Sequence, residues 1–387
     1  MIETVAQKTC KHFGECGGCS FQDSPYPEQL KNKEEKIRGL MSQYDIKAQL
    51  KPINFFPEWF YRNKMEYTFG EKEGIVCGLH NKNFKRQVLD LEECLIFSPD
   101  TGAILKAVRK FSKKHNYPVY NRSTHEGFLR NLIVRQTKFT NELMVAIITT
   151  STSPLQKEDL VNALTSLNLN SSLKSIYWII NDALSDAVVF QKKELIYGEE
   201  FIKEKLDGLN FNIGIDTFFQ VNPVGIERLY TKIRDYLKLD KKERVLDLYC
   251  GVGSIGIFLA SCAKFIWGVD IGKEIIDAAS QNAKNNNIEN ISFFAADTRR
   301  FLNTQGAFYK GIDVVVINPP RPGLSKKVLR GVLRLSPKRI VYSSCNPDSC
   351  LRDLKELKDS YEIRFIEPFD FFPHTRHVEI LTLLERK

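Results

Sequence analysis

The stretch RVLDLYCGVGSIGIFLASCAKFIWGVD, residues 244–270, runs a short apolar strand (Arg244 to Leu248) into a glycine-rich turn, an apolar helix and a second strand that ends on Asp270. Gly251, Gly253 and Gly256 let the backbone approach a ligand, and the helix start offers free N–H groups. Asp270 stands where an acidic side chain accepts hydrogen bonds from ribose hydroxyls. The same letters satisfy the G-x-G-x-x-G dinucleotide fingerprint, so an NAD-linked oxidoreductase and an S-adenosylmethionine enzyme both stay open here. Asp247, just ahead of the glycines, leans toward the second, because a carboxylate suits a ligand with an ammonium group and no pyrophosphate.

Outward from this motif, helix and strand alternate from Pro223 onward: ERLYTKIRDYL, KEIIDAASQNAKNN, ISFFAAD, DVVVIN and RIVYSS. That alternation predicts an α/β fold with a doubly wound, mainly parallel sheet over residues 216–387. Residues 1–215 read differently. Between Phe55 and Phe190, short β-rich runs (EYTFG, GIVCGLH, NLIVRQT, LMVAIITT, DAVVF) are separated by Gly, Asn, Asp and Ser, which predicts a mostly antiparallel β domain with one helix near 101–114. Before it, PEQLKNKEEKIRGLMSQY (27–44) places Leu30, Ile37, Leu40 and Met41 on a charged background, the pattern of an amphipathic surface helix, here expected to pack on the catalytic domain.

With 387 residues, two domains are the natural expectation. No stretch reaches the roughly 18 apolar residues of a membrane span and no signal-peptide core is present, so a cytoplasmic protein with no membrane partner is expected. The 56 Lys and Arg against 47 Asp and Glu, a net charge of +9, favour a polyanionic partner. Nine cysteines in such a chain do not form a disulfide framework and must be sorted individually. Cys10-x5-Cys16-x2-Cys19 with Cys94 makes four thiolates, enough for tetrahedral zinc or a [4Fe–4S] cluster, and spacing alone does not separate the two. Cys77 and Cys262 read as core residues.

Two further loops carry chemistry. Asn318-Pro-Pro-Arg321 follows the strand Asp313 to Ile317, and Ser343-Ser-Cys345-Asn-Pro347 follows the strand beginning at Arg339, so both fall at the sheet edge where α/β proteins bind ligands. Enzymes that methylate exocyclic amines usually have an aromatic residue where this chain has Arg321. Cys345, set among Ser and Asn donors ahead of a possible helix start, is expected to gain thiolate character and act as a nucleophile. Aromatic and basic residues interleave at Trp59 to Lys64 and His80 to Arg86, a composition that suits base stacking and phosphate contacts.

Taken together, Cys10/Cys16/Cys19 and Cys94, FQVNP (219–223), DLYCGVGSIG (247–256), NPPRPG (318–323), SSCNP (343–347) and the tail FDFFPHTRHVEILTLLER (369–386) resemble the uracil-5 methyltransferases of ribosomal and transfer RNA. The resemblance covers nearly the whole chain. It implies a Rossmann-like S-adenosylmethionine-dependent methyltransferase domain behind an N-terminal and central β region carrying an iron–sulfur cluster. Cys345 would then be the nucleophile that adds to uracil C6, and Glu379, a carboxylate in an apolar segment, the base that removes the C5 proton. Gln220, Tyr249, Gly251, Gly253, Asp270, Asn318 and, as a weaker candidate, Asp297 would line the S-adenosylmethionine and uracil pocket. Cys10, Cys16, Cys19 and Cys94 would hold a [4Fe–4S] cluster of structural and RNA-positioning role. His374 and His377 are read as packing or hydrogen-bonding residues.

Within the family, the cysteine set resembles the iron–sulfur enzymes of 23S ribosomal RNA more than the transfer-RNA enzymes. Asn318, where many members have Asp, resembles the branch without an N-terminal β-barrel, often called RlmC or RumB. A monomer acting on 23S ribosomal RNA is expected. Transfer-RNA uracil methylation is the alternative. RNA cytosine-5 methylation fits less well, since those enzymes carry a second cysteine in the loop corresponding to NPPR, and an NAD-linked iron–sulfur oxidoreductase or an inert RNA-binding module stand further off.

Overall fold

The computed structural model describes residues 9–84, 86–185, 187–304 and 311–387. Helix α1 (Tyr26–Gln43) carries Pro27 in its first turn, where a missing N–H costs nothing, and stops before Asp45, which is left-handed at φ 52°. Its Ile37 and Met41 are buried in one apolar cluster with Leu246, Val315 and Tyr342, so this N-terminal helix packs on the C-terminal sheet as its pattern predicts. The two-residue strand β1 (Gln49–Leu50) then joins that sheet at one edge.

The central region is a six-stranded sheet of β2 (Lys64–Glu71), β3 (Ile75–Gly78), β4 (Leu129–Gln136), β5 (Glu142–Thr149), β6 (Ser172–Ile180) and β7 (Lys192–Gly198), in the order β3-β2-β4-β5-β6-β7. Helix α2 (Thr101–Lys114) falls where the sequence places it. Every pairing is antiparallel except β5 with β6, which run parallel across a crossover that contains α3 (Lys157–Thr165). The sequence does not signal that second helix, because its nine residues bury only Leu160 and Leu164 and so carry little period. Of the run DAVVF, residues 187–190 form no strand. Asp186 lies outside the described residues, residues 187–190 are irregular, and the strand begins at Lys192. Side chains hold this backbone instead: the Arg130 guanidinium donates to the carbonyls of Asn181, Ala183 and Ser185, and the Asn181 amide donates to that of Ala187.

A hairpin of β8 (Ile202–Leu206) and β9 (Leu209–Ile213) turns on Asp207 and Gly208, both left-handed, the geometry an Asp-Gly pair favours. Its Ile202, Leu206 and Phe211 share a cluster with Ile133 and Met144 of the central sheet and with Phe258 and Ile266 further on. Residues on both sides of position 216 therefore share a core.

The C-terminal region alternates α4 (Pro223–Leu237), β10 (Arg244–Leu248), α5 (Ser254–Leu259), β11 (Phe265–Asp270), α6 (Lys273–Asn285), β12 (Ile291–Ala295), α7 (Thr298–Thr304), β13 (Val314–Ile317), α8 (Lys326–Leu335), β14 (Arg339–Ser344) and α9 (Pro347–Leu357), and closes with β15 (Tyr361–Phe369) and β16 (Glu379–Arg386). The eight strands run β1-β15-β16-β14-β13-β10-β11-β12. All neighbours are parallel except those of β16, which is antiparallel to both β14 and β15. The doubly wound, mainly parallel expectation holds. No helix among the described residues is long and apolar enough to cross a membrane.

One buried ion pair fastens α1 to the segment between β15 and β16. Lys33 donates to Asp370 at 2.6 Å with both residues buried, and Tyr26 donates to the second oxygen of Asp370 at 2.9 Å. Removing one partner strands the other charge inside the protein. Lys33→Met is therefore expected to lower unfolding stability by about 3–5 kcal/mol, measured by urea denaturation at neutral pH.

Candidate active site

The glycine turn after β10 takes its shape from three left-handed residues: Tyr249 (φ 61°), Gly251 (φ 54°) and Gly253 (φ 77°). A side chain at Gly253 would meet the Phe293 ring at 2.5 Å, whereas at Gly251 the space stays open. Asp270, at the end of β11, braces the turn: one carboxylate oxygen accepts from the Gly251 N–H at 3.0 Å and the other from Ile271 at 2.7 Å. Asp247 is buried at 1% exposure; one oxygen accepts from the Gly256 N–H at 3.1 Å and the other has no partner among the described residues. Burial pushes its carboxyl up to about 7, the Gly256 N–H opposing and the Asp270 charge adding to the rise. The Tyr249 hydroxyl reaches Thr298. Asp297, at the end of the outer strand β12, caps the helix behind it by accepting from the Arg300 N–H at 2.9 Å.

Three loops meet at Arg321. The Asn346 amide and the Ser349 hydroxyl both donate to the Arg321 carbonyl at 3.0 Å, which ties NPPR to SSCNP. The Arg321 guanidinium lies 3.1 Å from Nδ1 of His377, which ties both to HVEI. Burial and the nearby Arg321 charge lower the His377 pKa, so its neutral ring accepts this bond. Asn318 is half-buried beside β10, its N–H donating to the Leu248 carbonyl. FQVNP is fastened from two sides. Asn63 on the central region donates to the Gln220 carbonyl at 2.7 Å, and Asn222, which caps α4, donates to the Phe371 carbonyl at 3.1 Å.

Antiparallel pairing explains how Glu379 comes to this edge. A strand antiparallel to β14 begins where β14 ends, and Ile380 lies opposite Ser344. Glu379, 1% exposed, accepts at Oε1 from the Ser343 hydroxyl at 2.7 Å, while Oε2 is buried with no partner among the described residues. Burial pushes its carboxyl up to about 7, with the Ser343 bond opposing. Cys345 is half-buried between β14 and α9. Its thiol is pushed up to about 11, first by burial and then by the Glu379 charge, with Arg321 working the other way.

Here the structure corrects one expectation. The Ser and Asn side chains around Cys345 are engaged elsewhere: Ser343 with Glu379, Ser344 with the Asn346 backbone, Asn346 with the Arg321 carbonyl. Arg321 is the side chain that favours the thiolate.

Cys10, Cys16, Cys19 and Cys94 line one pocket, and none is in a disulfide. Burial raises all four thiols, Cys19 and Cys94 to about 12; the charges of the other cysteines add to the rise at Cys16, Cys19 and Cys94, and that of Glu93 at Cys10, while the Gly18 N–H donates to Cys16 Sγ at 3.4 Å. No group of three or more His, Cys, Asp or Glu among the described residues is arranged to grip a metal ion, this quartet included. Cys77, Cys250 and Cys350 are buried, and Cys262 is half-buried with its thiol donating to the Leu259 carbonyl. His374 is buried and stacked on Trp59 at 4.1 Å, the packing role read from the sequence.

The two aromatic–basic stretches part company. Tyr61 and Asn63 are buried, while Arg62 and Lys64 line a groove of about 580 Å³ with Arg135 and the 63% exposed Phe218, two residues from Gln220. In the second stretch Lys82, Asn83 and Phe84 are exposed, and Lys85 lies outside the described residues.

Comparison with known proteins bears on what this edge does. The profile of the family described as tRNA (Uracil-5-)-methyltransferase matches residues 25–387. An uncharacterized RNA methyltransferase of Caldanaerobacter subterraneus is 38% identical over 385 residues, 98% of this chain and 85% of its own length. One from Clostridium acetobutylicum is 38% identical over 392 residues, 100% of this chain and 85% of its own. Among solved structures, the Pyrococcus abyssi tRNA (uracil-54, C5)-methyltransferase in complex with S-adenosyl-L-homocysteine superposes with a TM-score of 0.79 at 30% identity, over 96% of this chain and 86% of that one.

Proposed function

Since the chain belongs to the RNA uracil-5 methyltransferase family, we propose that it methylates C5 of a uridine in 23S ribosomal RNA with S-adenosylmethionine, using Cys345 as nucleophile and Glu379 as base. The observation that carries this reading is the meeting of NPPR, SSCNP and HVEI at Arg321, on the strand edge that also holds the glycine turn.

Uracil C5 is a weak nucleophile. Addition of the Cys345 sulfur to C6 turns C5 into an enolate-like carbon; the sulfonium of S-adenosylmethionine supplies the methyl group that C5 takes. Glu379 then accepts the C5 proton, the electrons of that C–H bond form the C5–C6 double bond, and the C6–S bond breaks to return the thiolate. The residues fit the methyl donor. Asp247 offers a buried, unpartnered carboxylate oxygen suited to its ammonium group, Gly251 leaves open space, and Asp270 keeps lone pairs for ribose. By the family resemblance, Tyr249, Gly253, Asn318 and Asp297 would complete the methyl-donor and uracil pocket together with Gln220. Arg62, Lys64 and Phe218 line a groove whose charge and exposed ring suit an RNA strand next to a flipped-out base.

A second reading, transfer RNA as substrate, draws on the likeness to the archaeal tRNA enzyme. One experiment separates them. Incubation with methyl-labelled S-adenosylmethionine and with 23S ribosomal RNA or transfer RNA from cells lacking the modification is expected to label 23S RNA as 5-methyluridine. Label in transfer RNA alone selects the second reading, and label in another nucleoside removes both.

The four pocket cysteines are a donor set suited to a [4Fe–4S] cluster, whose positive irons would offset four thiolates that burial alone disfavours. The cluster would tie the N-terminus to the central sheet. Protein purified without oxygen is expected to be brown and to hold about four irons per chain, falling sharply in Cys94→Ala; colourless protein with one zinc contradicts the assignment.

A further inference from the structure

We propose that Ser343 is a positioning residue for proton abstraction: its hydroxyl occupies Oε1 of Glu379 and leaves Oε2 as the atom that takes the C5 proton. This rests on the function proposed above. The geometry behind it is specific. Ser343 and Glu379 lie on neighbouring antiparallel strands, both buried, and the bond between them is 2.7 Å. Oε2 is buried and accepts from nothing among the described residues.

A carboxylate in an apolar wall has two equivalent oxygens and can turn about its last bond. A donor fixed on a strand removes that freedom, since exchanging the oxygens means breaking a buried hydrogen bond. The base is thereby held in one orientation before substrate arrives, and the oxygen without a partner is the basic one. In the step itself the C5–H bond breaks toward Oε2, its electrons form the C5–C6 double bond, and the C6–S bond breaks so that Cys345 leaves as thiolate. Ser343 keeps its own proton throughout. The neighbouring Ser344 does not share this role, because its hydroxyl is engaged with the Asn346 backbone.

The groups that feel the Glu379 charge come from three other elements: Cys345 in the loop after β14, Cys350 on α9 and Tyr230 on α4; Arg321 faces Cys345 from the NPPR loop. All of them remain in a Ser343 variant. Among the described residues the Ser343 hydroxyl is the one donor that favours the charged form of Glu379, so its loss moves the ionisation of that carboxylate upward.

The test is a single-turnover reaction of the full chain with substrate RNA and methyl-labelled S-adenosylmethionine, followed over pH. Ser343→Ala is expected to form the labelled, denaturation-resistant protein–RNA adduct at close to the wild-type rate and to release methylated RNA about tenfold more slowly. The rising limb of release should move to higher pH, and Ser343→Thr, which keeps the hydroxyl, should restore both. Release at the wild-type rate from Ser343→Ala, or a parallel fall in adduct formation and release with an unmoved pH profile, overturns the proposal. A wild-type chain that makes neither adduct nor 5-methyluridine overturns instead the reaction on which it rests.

Discussion

Cys345→Ala loses methylation of RNA by about 10⁴-fold or more, while the protein keeps its fold and still binds the methyl donor. The size follows from the chemistry. Without addition at C6 there is no enolate, and the sulfonium meets a carbon that has no reason to attack it. The fold should survive, because Cys345 is half-buried in a loop whose shape is set by Ser344, Asn346 and Ser349 and owes nothing to its sulfur. Filter-binding of labelled RNA product gives the rate, and near-ultraviolet circular dichroism confirms the fold. A variant with a tenth of wild-type activity would show that the sulfur is dispensable.

The second large effect is at Glu379. Glu379→Gln keeps the shape and the bond from Ser343 but cannot take a proton, so turnover is expected to fall by about 10²- to 10⁴-fold with the covalent protein–RNA adduct accumulating. In the wild type the base must be ionised, so the elimination rate should rise as pH passes through about 7.

The same substitution reports on stability with a definite sign. Burial raises the folded-state pKa of Glu379 above its ordinary value of 4.5, so between about 4.5 and 7 the folded chain binds more protons than the unfolded one. Stability is lost as pH climbs through that window, and the penalty is complete above it. Glu379→Gln is therefore expected to be more stable than wild type at pH 8, by up to about 3 kcal/mol, and so to melt at a higher temperature, with the difference vanishing toward pH 4. Melting curves at the two pH values measure it; an equal gap at both would contradict the origin in ionisation.

Much of this architecture is written in local sequence. Residues 244–270 contain a strand, a turn whose glycines adopt left-handed angles, a helix and a strand ending in an acid, and each falls where short-range pattern places it. The Asn318 and Cys345 loops are legible for the same reason, since a strand followed by a proline-bearing loop locates the sheet edge. Pairing over long distances is less visible. Nothing in KKELIYG marks it as the strand in place of DAVVF, because the competing hydrogen bonds come chiefly from Arg130, on β4 and 51 residues before the nearest carbonyl it holds, with Asn181 just past the end of β6 adding one more.

Within the site, sequence pattern names Cys345 and the family resemblance names Glu379, but neither says what connects them. Ser343 reads as one of two serines beside a cysteine, and only the antiparallel placement of β16 aims it at Glu379. Arg321 reads as a departure from another family's aromatic position; its role as the joint of three loops depends on contacts 25 and 56 residues along the chain. The four N-terminal cysteines show the converse. Their convergence, with Cys94 75 positions beyond Cys19, is legible because thiols at such spacing have few reasons to be there other than one another.

The most direct test of the central claim is RNA carrying 5-fluorouridine at the target site, incubated with the chain and S-adenosylmethionine. Fluorine cannot leave as a proton does, so the reaction should stop after methyl transfer as a denaturation-stable protein–RNA complex, with the modified peptide containing Cys345. A complex mapped to another residue, or one still formed by Cys345→Ala, would contradict the account.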